Sequence, residues 1–393
     1  MSSSSAAKSY LPDPTQELLL RAALLQGPEA VRAWEAWIER VDVEGDHLDG
    51  GSYRTLPLLH HNLIENGVDH PLLARFKGIR RRVWYKNQIV FRMMAELLSR
   101  LHDAGMPTLV LKGAALTVGY YGDYSLRPME DFDVLAPTLR ADEAITLIDS
   151  WGWKAGQGSA ERLLSAPKKC RHAESFTNAT GQSFDLHWNL LHTYLRPDAD
   201  DPFWSHAIPL EVGEAQTLTL APSDQLLHVC AHGASWNRTP SFRWVLDAWL
   251  VLHKGGEVDW GRLVSQAERC DVVLPVADTL GYLRSAFDAP IPEEVVRELS
   301  SRPVGRVTRK GYEVMAVPDS QKGPIRTFWR HYARFYHSEF RSSALLQPLH
   351  FLRFMMCMWG VDHLWQLPQV GFRKMVQRVR EMAAHRAANV DSV

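Results

Sequence analysis

The residues best suited to chemistry lie in Arg127-Pro128-Met129-Glu130-Asp131-Phe132-Asp133-Val134-Leu135. A strand alternates its side chains with period two, so Asp131 and Asp133 share one face while Phe132 and Val134 turn to the core. Two carboxylates held that close repel unless a cation lies between them. Hard oxygen donors suit Mg²⁺, an ion that keeps waters and substrate phosphates in its shell. Downstream, Phe184-Asp185-Leu186-His187-Trp188 alternates in the same way, with Asp185 and His187 on one face, which makes a third carboxylate available. Upstream, an apolar run ends in Lys112-Gly113-Ala114-Ala115 and opens into a helix. Free backbone N–H groups and a positive dipole end there suit a phosphate. Three acidic groups on neighbouring strands beside a glycine-led turn describe a two-metal phosphoryl-transfer site, one ion at an acceptor oxygen and one at the leaving pyrophosphate.

These groups need a sheet to hold them, and the sequence supplies one in its middle. Met106 to Leu111 and Phe132 to Leu135 read as buried strands. Arg171 to Thr177 and Ser183 to Trp188 read as a hairpin around Asn178-Ala179-Thr180-Gly181. Asp142 to Trp151 reads as a helix stopped by Gly152, and Tyr120 to Pro128 as a loop. On either side the helical period dominates. Leu18, Leu19, Ala22 and Leu25 form one stripe, Ile89, Met93, Leu97 and Leu101 another, and Leu226, Leu227, Cys230 and Ala231 a third. Gly45 to Ser52, with Asp46, Asp49, Gly50 and Gly51, reads as a loop between helical parts. The expected fold class is α+β, a small mixed-sheet core over 105–215 between an N-terminal helical region, 1–104, and a C-terminal helical domain, 216–393.

Several secondary features carry a plainer expectation. His228 and His232, spaced i, i+4 with no Glu after His228, read as packing or polar contacts, not as a zinc motif. Arg243 and Asp247 read as an i, i+4 pair. Lys168, Lys169, Arg171 and His172 read as a solvated hairpin face, Arg80-Arg81-Arg82 as a solvated helix face, and Phe328, Trp329, Tyr332, Phe335 and Tyr336 as core.

The order Lys-Gly-Ala-Ala-Leu, Leu-Arg-Pro-Met-x-Asp-x-Asp-x-Leu and Asp-Leu-His-Trp resembles the uncharacterised nucleotidyltransferase family of the DNA polymerase β-like superfamily. Leu56-Pro57-Leu58-Leu59, Ala221-Pro222-Ser223-Asp224-Gln225-Leu226-Leu227-His228 and Phe242-Arg243-Trp244-Val245-Leu246-Asp247 extend the likeness over roughly residues 50 to 300. The resemblance implies a minimal nucleotidyltransferase core with Asp131 and Asp133 as metal ligands and Asp185 as the third carboxylate. Gly113-Ala114 stands where the superfamily commonly has Gly-Ser or Gly-Gly, and Glu130 where a small or neutral residue is expected.

The expected activity is Mg²⁺-dependent transfer of a nucleoside monophosphate from an NTP, ATP for instance, to a small-molecule, peptide or protein acceptor, with release of pyrophosphate. Two Mg²⁺ ions are expected, with Mn²⁺ as the substitute. Asp131, Asp133 and Asp185 are expected to hold metal, His187 to attend the acceptor, and Gly113 and Ala114 to donate backbone hydrogen bonds to the triphosphate. Lys112 or Arg127 is expected to balance phosphate charge. The rival readings are a protein-modifying, toxin-like transferase and a non-catalytic nucleotide-binding scaffold.

Composition narrows the partners. The 393 residues are 46% hydrophobic and 23% charged, a globular balance. Lys and Arg number 44 against 45 Asp and Glu, so no excess positive field exists to hold a long nucleic acid. Cys170, Cys230, Cys270 and Cys357 are far apart without a C-x-x-C pair, which predicts neither a metal cluster nor a disulfide framework and points to a reducing compartment. The serine-rich start lacks a basic region followed by an apolar core, and Phe351 to Leu364 is interrupted by Arg353 and Asp362. The expectation is a cytoplasmic protein without a membrane partner.

Overall fold

The computed structural model describes residues 8–43, 45, 48–156, 159–165, 168–234, 242–317, 323–340 and 346–390; the serine-rich start and Asp46 lie outside them. The architecture is α+β. A seven-stranded mixed sheet runs in the order β3-β4-β5-β2-β1-β7-β6, with β1 Leu109–Leu111, β2 Asp133–Leu135, β3 Lys154–Ala155, β4 Ala173–Thr177, β5 Ser183–His187, β6 Ile208–Val212 and β7 Ala215–Thr219. β1 is antiparallel to β2 and parallel to β7, and β2 is parallel to β5. The β4–β5 hairpin turns through Gly181 at φ +80°, as its turn sequence requires. Sequence reading missed β3 and the β6–β7 hairpin. The first is two residues long, and in the second Pro209, Glu211, Gln216 and the threonines dilute the apolar alternation.

Alternation along the strands assigns the two faces of the sheet. Val110, Val134, Phe132, Phe184 and Leu186 face a core closed by the second half of helix Leu72–Asp103 and by helix Ala141–Ser150, and the Phe132 and Phe184 rings stack at 5.3 Å. Leu109, Leu111 and Leu135 face the opposite core. There Leu19, Trp34 and Leu59 from the N-terminal helices meet Leu226, Val245 and Leu280 from helices Pro222–Gly233, Arg243–Lys254 and Val273–Phe287. Asp133 shares the parity of Leu135, so the acidic face of the sheet looks into this helical half.

Three local expectations are corrected. Gly50 and Gly51 belong to helix Gly50–Glu65, because Asp49 caps it by accepting from Gly51 N and Ser52 N. A Cβ on Gly51 would lie 2.7 Å from the Phe242 ring, so this glycine serves close packing and not a loop. Arg80 is not simply solvated: it donates to Ser125 Oγ and Asp123 Oδ2, both at 2.7 Å, while Arg81 and Arg82 are exposed. Of the aromatic cluster on helix Pro324–Tyr336, only Phe335 is fully buried; Phe328 is 49% exposed, since the small satellite core there covers one side of the helix.

Cys170 and Cys357 form a disulfide, a correction to the reading that no bridge is encoded. The bridge joins the turn before β4 to helix Gln347–Trp359, across 187 residues of sequence. Only the folding back of the C-terminal helices brings the two thiols together, and the argument for a reducing compartment loses its premise. Cys230 and Cys270 are free and buried. No helix among the described residues is long and apolar enough to cross a membrane.

Candidate active site

The register of the sheet builds the site. Leu111 pairs with Asp133 across the antiparallel β1–β2 ladder, and Asp133 pairs with Asp185 across the parallel β2–β5 ladder. Both carboxylates therefore stand side by side on the face that meets the helical half. Asp133 is 6% exposed. His187 Nε2 lies 2.9 Å from Asp133 Oδ1, and the Lys112 ammonium donates to the same oxygen. Asp133, Asp185 and His187 each offer an atom within 4.8 Å of the others, a donor set that fits a divalent cation.

Asp131 precedes β2 instead of lying in it, so it stands at the exposed mouth while Asp133 is enclosed. Partial burial of its carboxyl, with Asp133 and Asp185 close by, pushes its pKa up to about 6. Burial would also raise Asp133, but Lys112 and His187 more than offset it and hold this carboxyl well below the usual range. Burial lowers the Lys112 pKa, and Asp133, Asp185 and Asp131 overcome that and raise it, so the ammonium stays charged.

Lys112, Gly113, Arg127, Glu130 and the three aspartates line one cavity of about 330 Å³, a size suited to a small ligand. Gly113 is bare toward it: a Cβ there would lie 2.5 Å from Arg127 Nη1. Ala114 is not in the lining; it is fully buried in the core beneath the sheet. Glu130 pairs with Arg54 at 2.8 Å at the rim.

The loop that carries Arg127 is pinned from behind. Asn87 Nδ2 donates to Tyr124 O at 2.6 Å and Arg127 O at 2.8 Å. Arg127 donates to Asp247 through Nε and Nη2, both at 2.9 Å, and the Tyr121 hydroxyl donates to Asp247 at 2.8 Å. Asp247 is thus taken by Arg127, which corrects the expected i, i+4 pair with Arg243. Arg243 instead donates to Pro128 O at 3.0 Å and lines the cavity. Burial, with Arg127 beside it, lowers its pKa to about 10.

The helical half contributes histidines whose place the sequence did not resolve. His228 and His232 line the same cavity, one turn apart on helix Pro222–Gly233. Burial first, then the Lys112 charge, pushes His228 down to about 3, so this imidazole is neutral, whereas His232 is exposed to solvent at the cavity. Their i, i+4 spacing was the legible signal; which neighbour they faced was not. Of the basic run before β4, Lys168, Lys169 and Arg171 pair with Asp142, Glu339 and Glu174, and His172 approaches His187 with ring centroids 5.3 Å apart.

A family model described as an uncharacterised nucleotidyltransferase matches residues 52–288, more than half of the chain, and spans every residue of the site. Among solved structures, an antigenic nucleotidyltransferase-like protein from Paracoccidioides brasiliensis is similar at 16% identity. The alignment covers 54% of this chain and 96% of that chain, with a TM-score of 0.32. No curated protein matches the chain.

Proposed function

The chain belongs to the uncharacterised nucleotidyltransferase family, and from that premise we propose that it transfers a nucleoside monophosphate from an NTP to a small-molecule or peptide acceptor, releasing pyrophosphate. Asp133 and Asp185 hold a divalent cation, Mg²⁺ or Mn²⁺, with His187 completing the donor set and Asp131 adding a third carboxylate from the cavity lining. When bound, such an ion supplies charge stabilisation for the transferred phosphoryl group and orients the nucleotide. The backbone at Gly113 meets the triphosphate, and either Lys112 or Arg127 balances its charge. His187, buried next to Asp133, orients the acceptor or takes up its proton.

The observation that carries this reading is the direct pairing of Asp133 with Asp185 on a sheet face that opens into the cavity lined by Gly113. A concave volume of about 330 Å³ is of the size that holds a small ligand. The test is to incubate the protein with labelled NTPs, Mg²⁺ and a cell extract, with an Asp185→Asn variant as control. Label should move onto a small acceptor with wild type alone. No transfer with any NTP, or equal transfer by the variant, would refute the reading; label on a protein band would shift it to a protein-modifying enzyme.

A further inference from the structure

Four lysine and arginine side chains line the cavity, Arg54, Lys112, Arg127 and Arg243, and three of them already have a carboxylate partner. Arg54 pairs with Glu130 at the rim, Lys112 with Asp133, and Arg127 with both oxygens of Asp247. Asp247 has little left for Arg243, four residues before it, because the Tyr121 hydroxyl also donates to the oxygen that Arg127 Nε holds. Among the described residues the Arg243 side chain makes one hydrogen bond, from Nη1 to Pro128 O at 3.0 Å, and no ion pair.

A guanidinium carries five N–H donors in a planar fork, so one carbonyl leaves most of them without a partner. The side chain is only partly exposed, and the first turn of helix Arg243–Lys254 holds it against the cavity wall. Its surroundings are short of negative charge. Burial, then the Arg127 and Arg54 charges, bring its pKa down to about 10, and Asp247 offsets only part of that. A largely buried cation without a counter-ion is costly, and an anion entering the cavity relieves the cost. Its one partner, Pro128, directly follows Arg127, whose Nη1 lies against Gly113. The unpaired donors therefore belong to the glycine-turn side of the cavity.

We propose that Arg243 binds the β- and γ-phosphates of the NTP through these unpaired N–H groups. This rests on the nucleotidyltransferase reading above, and it adds to the charge balance given there to Lys112 or Arg127 a guanidinium with no carboxylate of its own. A planar fork meets two phosphate oxygens at once, which an ammonium does not, so the residue selects a nucleotide by its phosphate tail and not by its base.

The experiment is calorimetric titration of the full chain, with Mg²⁺, by the α,β-methylene triphosphate analogue of each base, for wild type, Arg243→Gln and Arg243→Lys. Gln can still donate to Pro128 O but carries no charge. It should lose about tenfold or more in affinity, and Lys, which keeps the charge, should lose less. Unchanged affinity in Arg243→Gln, or equal losses in the two variants, would overturn the proposal and leave Arg243 as a support for Pro128. A second measurement needs no folded Gln variant. The Arg243 Nε–H resonance of the ¹⁵N-labelled wild type, assigned by its loss in Arg243→Lys, should shift when inorganic triphosphate and Mg²⁺ are added, and an unmoved resonance would overturn the proposal. A wild type that binds no analogue of any base, with Mg²⁺ or Mn²⁺, would overturn the nucleotide reading itself, an outcome distinct from equal binding by wild type and variants.

Discussion

Arg127 and Asp247, 120 positions apart, form a two-point ion pair with both N···O distances at 2.9 Å, and both residues are buried. The pair ties the loop before β2 to helix Arg243–Lys254 and sets one wall of the cavity. Removing one member strands the other charge without solvent. Asp247→Ala should cost about 3–5 kcal/mol in urea unfolding, whereas Arg127→Met combined with Asp247→Leu should cost less than the two single changes together. Additive losses would show that the pair does not act as a unit.

Asp133 and Asp185 should separate chemistry from stability. Asp185→Asn removes a partly exposed carboxylate and should abolish transfer with little change in Tm. Asp133→Asn should abolish transfer and also lower Tm, because Lys112 loses its counter-charge and His187 its carboxylate acceptor. The enclosure of Asp133, against the partial exposure of Asp185, is what separates the two. Equal melting temperatures for the two variants would contradict it.

Gly113→Val should weaken NTP binding at least tenfold, since its Cβ would enter the space of Arg127 Nη1. Ala114→Ser should not restore a phosphate donor, as its side chain points into apolar core; a stability loss of about 1 kcal/mol with unchanged nucleotide affinity is expected. Calorimetric titration of both variants with NTP reads the difference.

Asp200 sets a pH dependence. Burial raises its pKa from 3.8 to about 7, against the hydrogen bond from Leu190 N at 3.0 Å. A carboxyl with a raised native pKa favours folding in its protonated form. Its contribution is complete below 3.8 and is lost as pH rises through about 7, up to about 4 kcal/mol in all. The Asp200 contribution to unfolding free energy should therefore fall between about pH 4 and 7 and level off above, and the fall should be absent in Asp200→Asn. Parallel pH profiles would remove Asp200 as the cause.

The Cys170–Cys357 bridge predicts two titratable thiols per chain in denaturant before reduction, from Cys230 and Cys270, and four after it. Cys170→Ser should lower stability by roughly 2–4 kcal/mol, the usual effect of losing a bridge. Four thiols without reductant would show that the pair is open.

What the sequence determined by itself was local. Period-two alternation placed Phe132 and Val134 in one core and Asp185 with His187 on one face, and the structure has them so. Asn178 to Gly181 announced its hairpin because turn chemistry depends on adjacent backbone angles. The order of motifs named the family that the match over 52–288 shows. Which face the carboxylates would turn toward, and what would cover them, depended on contacts between distant segments. Asp247 had a plausible partner four residues away and found a better one in Arg127, because a two-point guanidinium pair outcompetes a one-turn helical neighbour. His228 and His232 became cavity walls only when their helix packed over the sheet. The disulfide formed only when the C-terminal helices folded back to the turn before β4. Each of these was decided by packing between segments tens to more than a hundred residues apart, where spacing along the chain carries no information about distance in space.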